Sequence, residues 1–574
     1  MKNVAIVLFL LLVGCAPSGT KTIKLKLIET SDVHGNYFPY DFINQRNSEG
    51  GLARVACYVD SLRAVYGDNL LLLDNGDILQ GQPSAYYYNY IDTASVHVAA
   101  DIMNSMRFDV GNVGNHDLET GHDVYDRWIK QCNFPVLGAN IVKQSDGEPY
   151  LQPYAVFERE GIKIVVLGLI TPAIPAWLHE ELWAGLYFED MVEAAEKWMK
   201  IIQEKENPDI VIGLFHAGKD ARLLLDRYRE DTSVEIARDI PGFDVVLIGH
   251  DHTLYCDKVV NTEGDSVLVV NPGHNALFVS DVGITLTVKN KKVIDKQVSG
   301  CLTNVESYPA CDDFVNAYQT QYNDINAYVN EKIGVFTQSV NTRAAYFGPS
   351  GFVDFIHSLQ LELTNADISF ASPLSFDASI SKGDITIADM FNLYKFENYL
   401  YTMEATGEEV KRILEESYAI WTNQMKSPND RLLLLRTEGP RRRFFANYYF
   451  LFDSAAGLIY TVDVTKPMGE KITIVSMADG TPFHKDKKYK IVVTSYRGNG
   501  GGELLIRALR ISQEQLRDRI LSATENDFRY YLIDYIREKK VLTPRALNQW
   551  KFIPENWVKQ AAARDYAYLF GEDD

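Results

Sequence analysis

Between Ile23 and Val288 the chain repeats one pattern: a short apolar run that breaks off in polar residues, then a stretch with three- and four-residue apolar spacing. The runs are 23–29, 70–73, 108–113, 162–169, 209–215, 244–248 and 267–270. Near-continuous apolarity over about four to eight residues marks a strand buried on both faces. Residues 52–66, 96–106 and 191–204 carry the helical spacing between the runs. Strand and helix alternating in this way predict an α/β domain whose sheets are covered by helices.

The ends of these runs carry the chemistry. They read Asp32-Val33-His34-Gly35, Asp74-Asn75-Gly76-Asp77, Gly114-Asn115-His116-Asp117, His216-Ala217-Gly218 and Gly249-His250-Asp251-His252. Open α/β sheets place ligands beyond the carboxyl ends of their strands, so these ends predict one edge lined with Asp, His and Asn. Of 11 histidines, His34, His116, His216, His250 and His252 fall there. His97, His179, His357 and His484 lie in helical or loop context, and His122 and His274 lie nearby without needing a role. The densest stretch is GNVGNHDLE at 111–119, where an amide, an imidazole and a carboxylate stand side by side. Such donors without thiolate suit Zn, Mn, Fe or Co. Two ions sharing a carboxylate activate water and clamp a phosphoryl group, and Asp77, following glycine in a tight turn, is the natural bridge.

A chain of 574 residues with 46% hydrophobic and 23% charged content is globular and divides into two or more domains. Its 57 basic and 77 acidic residues leave a charge of −20, which argues against polymeric nucleic acid as a partner. Lys2, an apolar core over 5–13 and Leu12-Val13-Gly14-Cys15 form a targeting segment too short to span a bilayer. It resembles a bacterial lipobox, which implies an exported protein tethered to a membrane through lipid-modified Cys15. The remaining cysteines, Cys57, Cys132, Cys256, Cys301 and Cys311, contain no CxxC pair, so a zinc–thiolate site is not expected. Cys301 and Cys311 flank a loop, and an exported setting permits a disulfide between them.

The motifs Asp32-x-His34, Gly76-Asp77, Gly114-Asn115-His116-Asp117, His216-Ala217-Gly218 and Gly249-His250-Asp251-His252 resemble, in order, those of the calcineurin-like metallophosphoesterases. More narrowly, the chain resembles their exported 5′-nucleotidase and 2′,3′-cyclic-nucleotide phosphodiesterase group. The resemblance implies an α/β (α+β overall) protein with an N-terminal metallophosphoesterase sandwich and a mixed α/β substrate-binding domain. It implies two divalent metals, one held by Asp32, His34, Asp77 and His252, the other by Asp77, Asn115, His216 and His250. His116 would contact phosphate and aid leaving-group departure, with Glu119 orienting it; Asp117 is the alternative partner, or else an outward-facing or structural residue. The implied segments are 1–21 (signal and tether), 22–308 (catalytic domain), 309–333 (connector helix carrying a hinge), 334–558 (nucleoside domain) and 559–574 (polar tail).

In the nucleoside domain the resemblance implies two aromatic platforms around a base. Phe450 and Phe452 are the candidates for the first, and Tyr496, Arg497, Asn499, Gly500 and Gly501 form the loop carrying the second. Leu504 stands where 5′-nucleotidases of the group commonly carry Phe, and 371–376 replaces their Asn-Ser-Gly-Gly-Ile-Arg motif. These departures, with the glycine-rich loop and Asn548-Gln549-Trp550, favour a 2′,3′-cyclic-nucleotide 2′-phosphodiesterase/3′-nucleotidase. A 5′-nucleotidase or UDP-sugar hydrolase is the alternative, and a non-catalytic nucleotide-binding lipoprotein the remote one.

Overall fold

The structure, a computed structural model, describes residues 19–225, 227–438 and 443–571. Cys15 lies outside them. The N-terminal half is a sandwich of two six-stranded sheets. In the first, Lys21–Thr30, Leu70–Asp74, Val110–Asn112 and Val136–Leu137 run parallel, and Phe278–Lys289 and Lys292–Asn304 extend it antiparallel. In the second, Ile162–Ile170, Ile210–His216, Val245–Ile248 and Ser266–Pro272 run parallel, bordered by antiparallel Leu254–Val260 and Tyr154–Arg159.

Alternation within each apolar run explains this layering. Leu71 and Leu73 meet Ile212 and Leu214 between the sheets, whereas Leu70 and Leu72 face outward beneath the helices Leu52–Tyr66 and Val98–Ser105. On the other sheet Ile164 and Val166 point inward, and Val165, Leu167 and Leu169 meet Met191–Glu206. Both faces of each strand are buried, so each run reads as continuous apolar sequence.

The segment expected as one connector helix is two, Asp312–Ala317 and Gln319–Val329, separated at Tyr318, whose φ is −105° and ψ 17°. Phe314, Tyr318, Ile325 and Val329 pack into the N-terminal core. Helix cannot continue through Lys332, which begins the strand Lys332–Phe336 and pairs with Thr386.

The C-terminal half is built on a five-stranded sheet in the order Ser454–Ala456, Ile368–Ala371, Lys488–Thr494, Leu400–Thr406, Ile520–Ala523. Thr406 ends its strand and caps the helix Gly407–Trp421 through a reciprocal bond with Glu409.

One expectation is corrected and one open question answered. The stretch from 559 is no polar tail: Glu555–Phe570 is a helix whose Val558, Ala561, Asp565 and Leu569 are buried. Its charge misleads because Asp565 points inward, accepting the N–H groups of Leu432 (2.8 Å) and Leu433 (2.9 Å) and pairing with Arg431. Nor are Cys301 and Cys311 bridged. Both are free thiols; Cys301 lies opposite Asp281 in the sheet, while the Cys311 N–H bonds Ala53 O at the helix layer.

Candidate metal centre

The strand ends nest tightly against one another. A Cβ at Gly114 would lie 2.1 Å from Asp77 Oδ1, and one at Gly249 would lie 2.1 Å from Ser31 Oγ, so only glycine admits these approaches. Asp32, His34, Asp77, His250 and His252 have φ of 51°, 50°, 58°, 71° and 55°. Side-chain-bearing residues avoid this left-handed region, and their clustering here marks strain held in place by a site.

Two donor groups result: Asp32, His34 and His252, and Asp77, His216 and His250, each with ligand atoms within 4.8 Å of one another. In the first, His252 Nε2 lies 3.0 Å from His34 Nε2 and 3.3 Å from Asp32 Oδ1. In the second, His216 Nε2 lies 3.2 Å from both Asp77 Oδ2 and Asn115 Oδ1. Amide carbonyls set the tautomers: His216 Nδ1 donates to Asn75 O at 2.6 Å and His34 Nδ1 to Gln80, whose Oε1 (3.2 Å) and main-chain O (3.3 Å) both face it, leaving each Nε2 lone pair inward.

This donor set fits divalent cations. Asp77 Oδ2 is buried without a hydrogen-bond partner, and facing imidazole nitrogens 3.0 Å apart suit a shared cation. Burial alone would raise the Asp32 carboxyl, but the His252 hydrogen bond and the charges that His216 and His252 carry when protonated hold it below the usual carboxylate range. Burial pushes His34 down to about 3, so it stays neutral and able to ligate at neutral pH.

His116 stands beside the donors, its ring 5.4 Å from that of His34. Its Nδ1 lies 2.5 Å from Glu119 Oε2 and its backbone N–H donates to Asp77 Oδ1 at 2.8 Å. Burial works against the imidazolium, but Asp77 and Glu119 outweigh it and push the pKa up to about 9. Asp117 neither pairs with His116 nor faces outward. Fully buried, it accepts the N–H groups of Asp77, Ile78, Leu79 and Gly114 at 2.8–2.9 Å, stapling two strand-end turns together.

The nucleoside candidates separate. Phe450 and Tyr496 are half-buried; the Phe450 ring stacks on Tyr448 at 5.1 Å and meets Phe396 edge-on at 6.2 Å. Phe452 is fully buried and stacked on Trp421 at 5.5 Å, a core contact that removes it as a base platform. Arg497 is buried in an ion pair with Asp453 and donates to Gly501 O, bracing the loop from within. Asn499 is buried too, donating to Trp177 O across the domain boundary at 3.2 Å. Gly500 adopts φ 106°, and a Cβ at Gly501 would strike the Tyr496 ring at 2.6 Å. Leu504 and Trp550 lie in the C-terminal core.

Two neighbours, Trp177 and Glu230, escaped the sequence reading, and a third, His274, was placed nearby without a role. Trp177 lies 5.5 Å ring to ring from His250, His274 lies 4.8 Å from His252, and Glu230 Oε1 lies 3.1 Å from His250 Nε2. All three sit in loops without periodic signal, and nothing in the local sequence marks Trp177 or Glu230.

Residues 25–254 match the calcineurin-like phosphoesterase family, and residues 332–509 match the 5′-nucleotidase C-terminal domain. The 2′,3′-cyclic-nucleotide 2′-phosphodiesterase/3′-nucleotidase of Haemophilus influenzae is 26% identical over 93% of this chain and 88% of its own length. The trifunctional nucleotide phosphoesterase protein YfkN of Bacillus subtilis is 26% identical over 94% of this chain, which spans 39% of that longer protein. The solved 5′-nucleotidase precursor of Thermus thermophilus shares the fold with a TM-score of 0.61 at 22% identity, covering 93% of this chain and all of that one. The chain therefore belongs to the calcineurin-like phosphoesterases, in the group that carries a 5′-nucleotidase C-terminal domain. It is a metal-dependent phosphoric ester hydrolase, of a family that uses a dinuclear divalent metal site.

Proposed function

We propose that this chain is an exported, lipid-anchored nucleotide phosphoesterase preferring 2′,3′-cyclic nucleotides and 3′-nucleotides. The observation that carries the reading is the pair of donor groups, Asp32–His34–His252 and Asp77–His216–His250, with His116 beside them. Asp77 would bridge and Asn115 complete the second group. When bound there, two divalent ions supply nucleophilic water near neutral pH and neutralise phosphoryl charge. His116, held by Glu119, donates its proton to the departing ester oxygen. Phe450 and Tyr496 flank the base, where stacking contributes about 1–3 kcal/mol per base. The catalytic domain would occupy 22–308 and the nucleoside domain 334–571 once the C-terminal helix is included.

Anchoring rests on the first 15 residues; among the described residues no helix is long and apolar enough to cross a membrane. The deciding assay compares 2′,3′-cAMP, 3′-AMP, 5′-AMP and a UDP-sugar in Mn²⁺. Turnover of the first two is expected to lead. A clear preference for 5′-AMP would move the chain to the 5′-nucleotidase branch, and no turnover of any ester would leave a binding protein.

A further inference from the structure

The loop that leaves the His216 strand end returns to the metal centre with a side chain outside every strand-end motif. Glu230 is 8% exposed. Its Oε1 lies 3.1 Å from His250 Nε2, while its Oε2 is buried without a hydrogen-bond partner, with Arg222 Nε 3.9 Å away. The adjacent Asp231 accepts the Gly218 N–H at 2.5 Å, pinning this end of the loop to the turn after His216. At its far end the loop meets the C-terminal domain: Leu225 N–H faces Glu503 Oε1 at 3.4 Å, Tyr228 OH faces Gln513 Oε1 at 3.4 Å, and Arg227 pairs with Glu514 at 3.5 Å.

A metal-ligating histidine needs its second ring nitrogen engaged, which fixes both tautomer and ring orientation. For His34 and His216 the partners are amide carbonyls, the main-chain and side-chain oxygens of Gln80 and the main-chain oxygen of Asn75. His250 lies instead on a left-handed turn between the rings of Trp177 and His216, and Glu230 stands where those carbonyls stand for the others. We infer that Glu230 is a positioning residue of the metal centre: its carboxylate accepts the Nε2–H of His250 and holds the Nδ1 lone pair toward Asp77 and His216. The inference rests on the dinuclear reading above and adds to it a carboxylate carried on a loop that the C-terminal domain also touches.

The test equilibrates full-length wild type, Glu230→Gln and Glu230→Ala over a series of free Mn²⁺ concentrations and measures bound metal by mass spectrometry. Melting curves in EDTA report folding separately. Wild type is expected to bind two equivalents; binding of none would sink the dinuclear reading itself, whatever Glu230 does. With two bound, Glu230→Ala is expected to weaken one site by about 10–100-fold and leave the other unchanged. Glu230→Gln, which keeps an acceptor but not the charge, is expected to fall between. Wild-type affinity at both sites in Glu230→Ala would overturn the inference. If Glu230→Ala already melts low in EDTA, Glu230→Gln decides, and wild-type affinity in that variant overturns it equally.

Discussion

At the scale of single residues, His116 and Asp354 both hold a proton, the first against burial and the second because of it. His116 keeps its proton because Asp77 and Glu119 outweigh burial, so it is ready to act as an acid at neutral pH. Replacing it with Asn is expected to lower kcat by about 10²–10⁴-fold with metal content unchanged; wild-type turnover would remove His116 from the chemistry. Asp354, 3% exposed, accepts the Leu547 N–H at 2.7 Å, and burial pushes its carboxyl up to about 6. The folded chain thus holds this proton more tightly than the unfolded chain, whose carboxyl titrates near about 3.9. Its stabilising contribution is complete below that value and is lost as pH rises through about 6. Asp354→Asn keeps an acceptor without titrating. Relative to wild type it is expected to gain about 2–3 kcal/mol between pH 4 and pH 8, read as a widening gap in Tm. A constant gap would mean that Asp354 titrates normally.

At the scale of elements, the C-terminal helix Glu555–Phe570 is held by one apolar stripe and one buried acid. Asp565→Ala would leave the Leu432 and Leu433 amides and the Arg431 guanidinium without their acceptor. Each buried unpaired group costs about 1–3 kcal/mol, so a drop in Tm of several degrees is expected. An unchanged melting curve would show that the helix is not docked. Asp117 works on the same principle at the site, since one carboxylate that accepts four amides holds the Asp77 turn against the Asn115 turn.

At the scale of the molecule, the two halves meet through two sets of contacts. Pro175 O accepts from Gln513 (2.6 Å) and Arg517 (2.9 Å), and Trp177 O accepts from Asn499. On the other side Tyr86 and Tyr90 donate to Asp527 and Glu397, each at 3.2 Å. Beside these polar bonds the Tyr86 ring packs edge-on against Phe391 at 5.4 Å and under Arg529, so this side is apolar as well, whereas the Gln513 and Arg517 bonds are polar contacts of the kind that release readily. The double variant Gln513→Ala/Arg517→Ala is expected to raise the radius of gyration in small-angle scattering and to shift KM more than kcat. Its bound metal should match wild type. Superimposable scattering curves would show that other contacts hold the domains.

The sequence by itself determined the local features. Two-sided burial wrote the parallel strands as apolar runs, and the glycines and acceptors at their ends made the strand-end turns legible, so the Asp, His and Asn donors could be named in advance. Helix Leu52–Tyr66 could be read residue for residue from its spacing. Tertiary structure alone decided which polar groups face inward and what they meet. Phe452 and Phe450 are two residues apart with like chemistry, yet one is core and the other half-buried, because only folding brings Trp421, at the end of the helix Gly407–Trp421, against Phe452. Arg497 reads as a ligand-loop residue and Asp565 as part of a polar tail until Asp453 and Arg431 arrive from distant segments. Glu230 meets His250 only because a non-periodic loop folds back over the sheet edge. A residue's periodicity is local and survives in sequence, whereas a partner brought from far along the chain leaves no local mark.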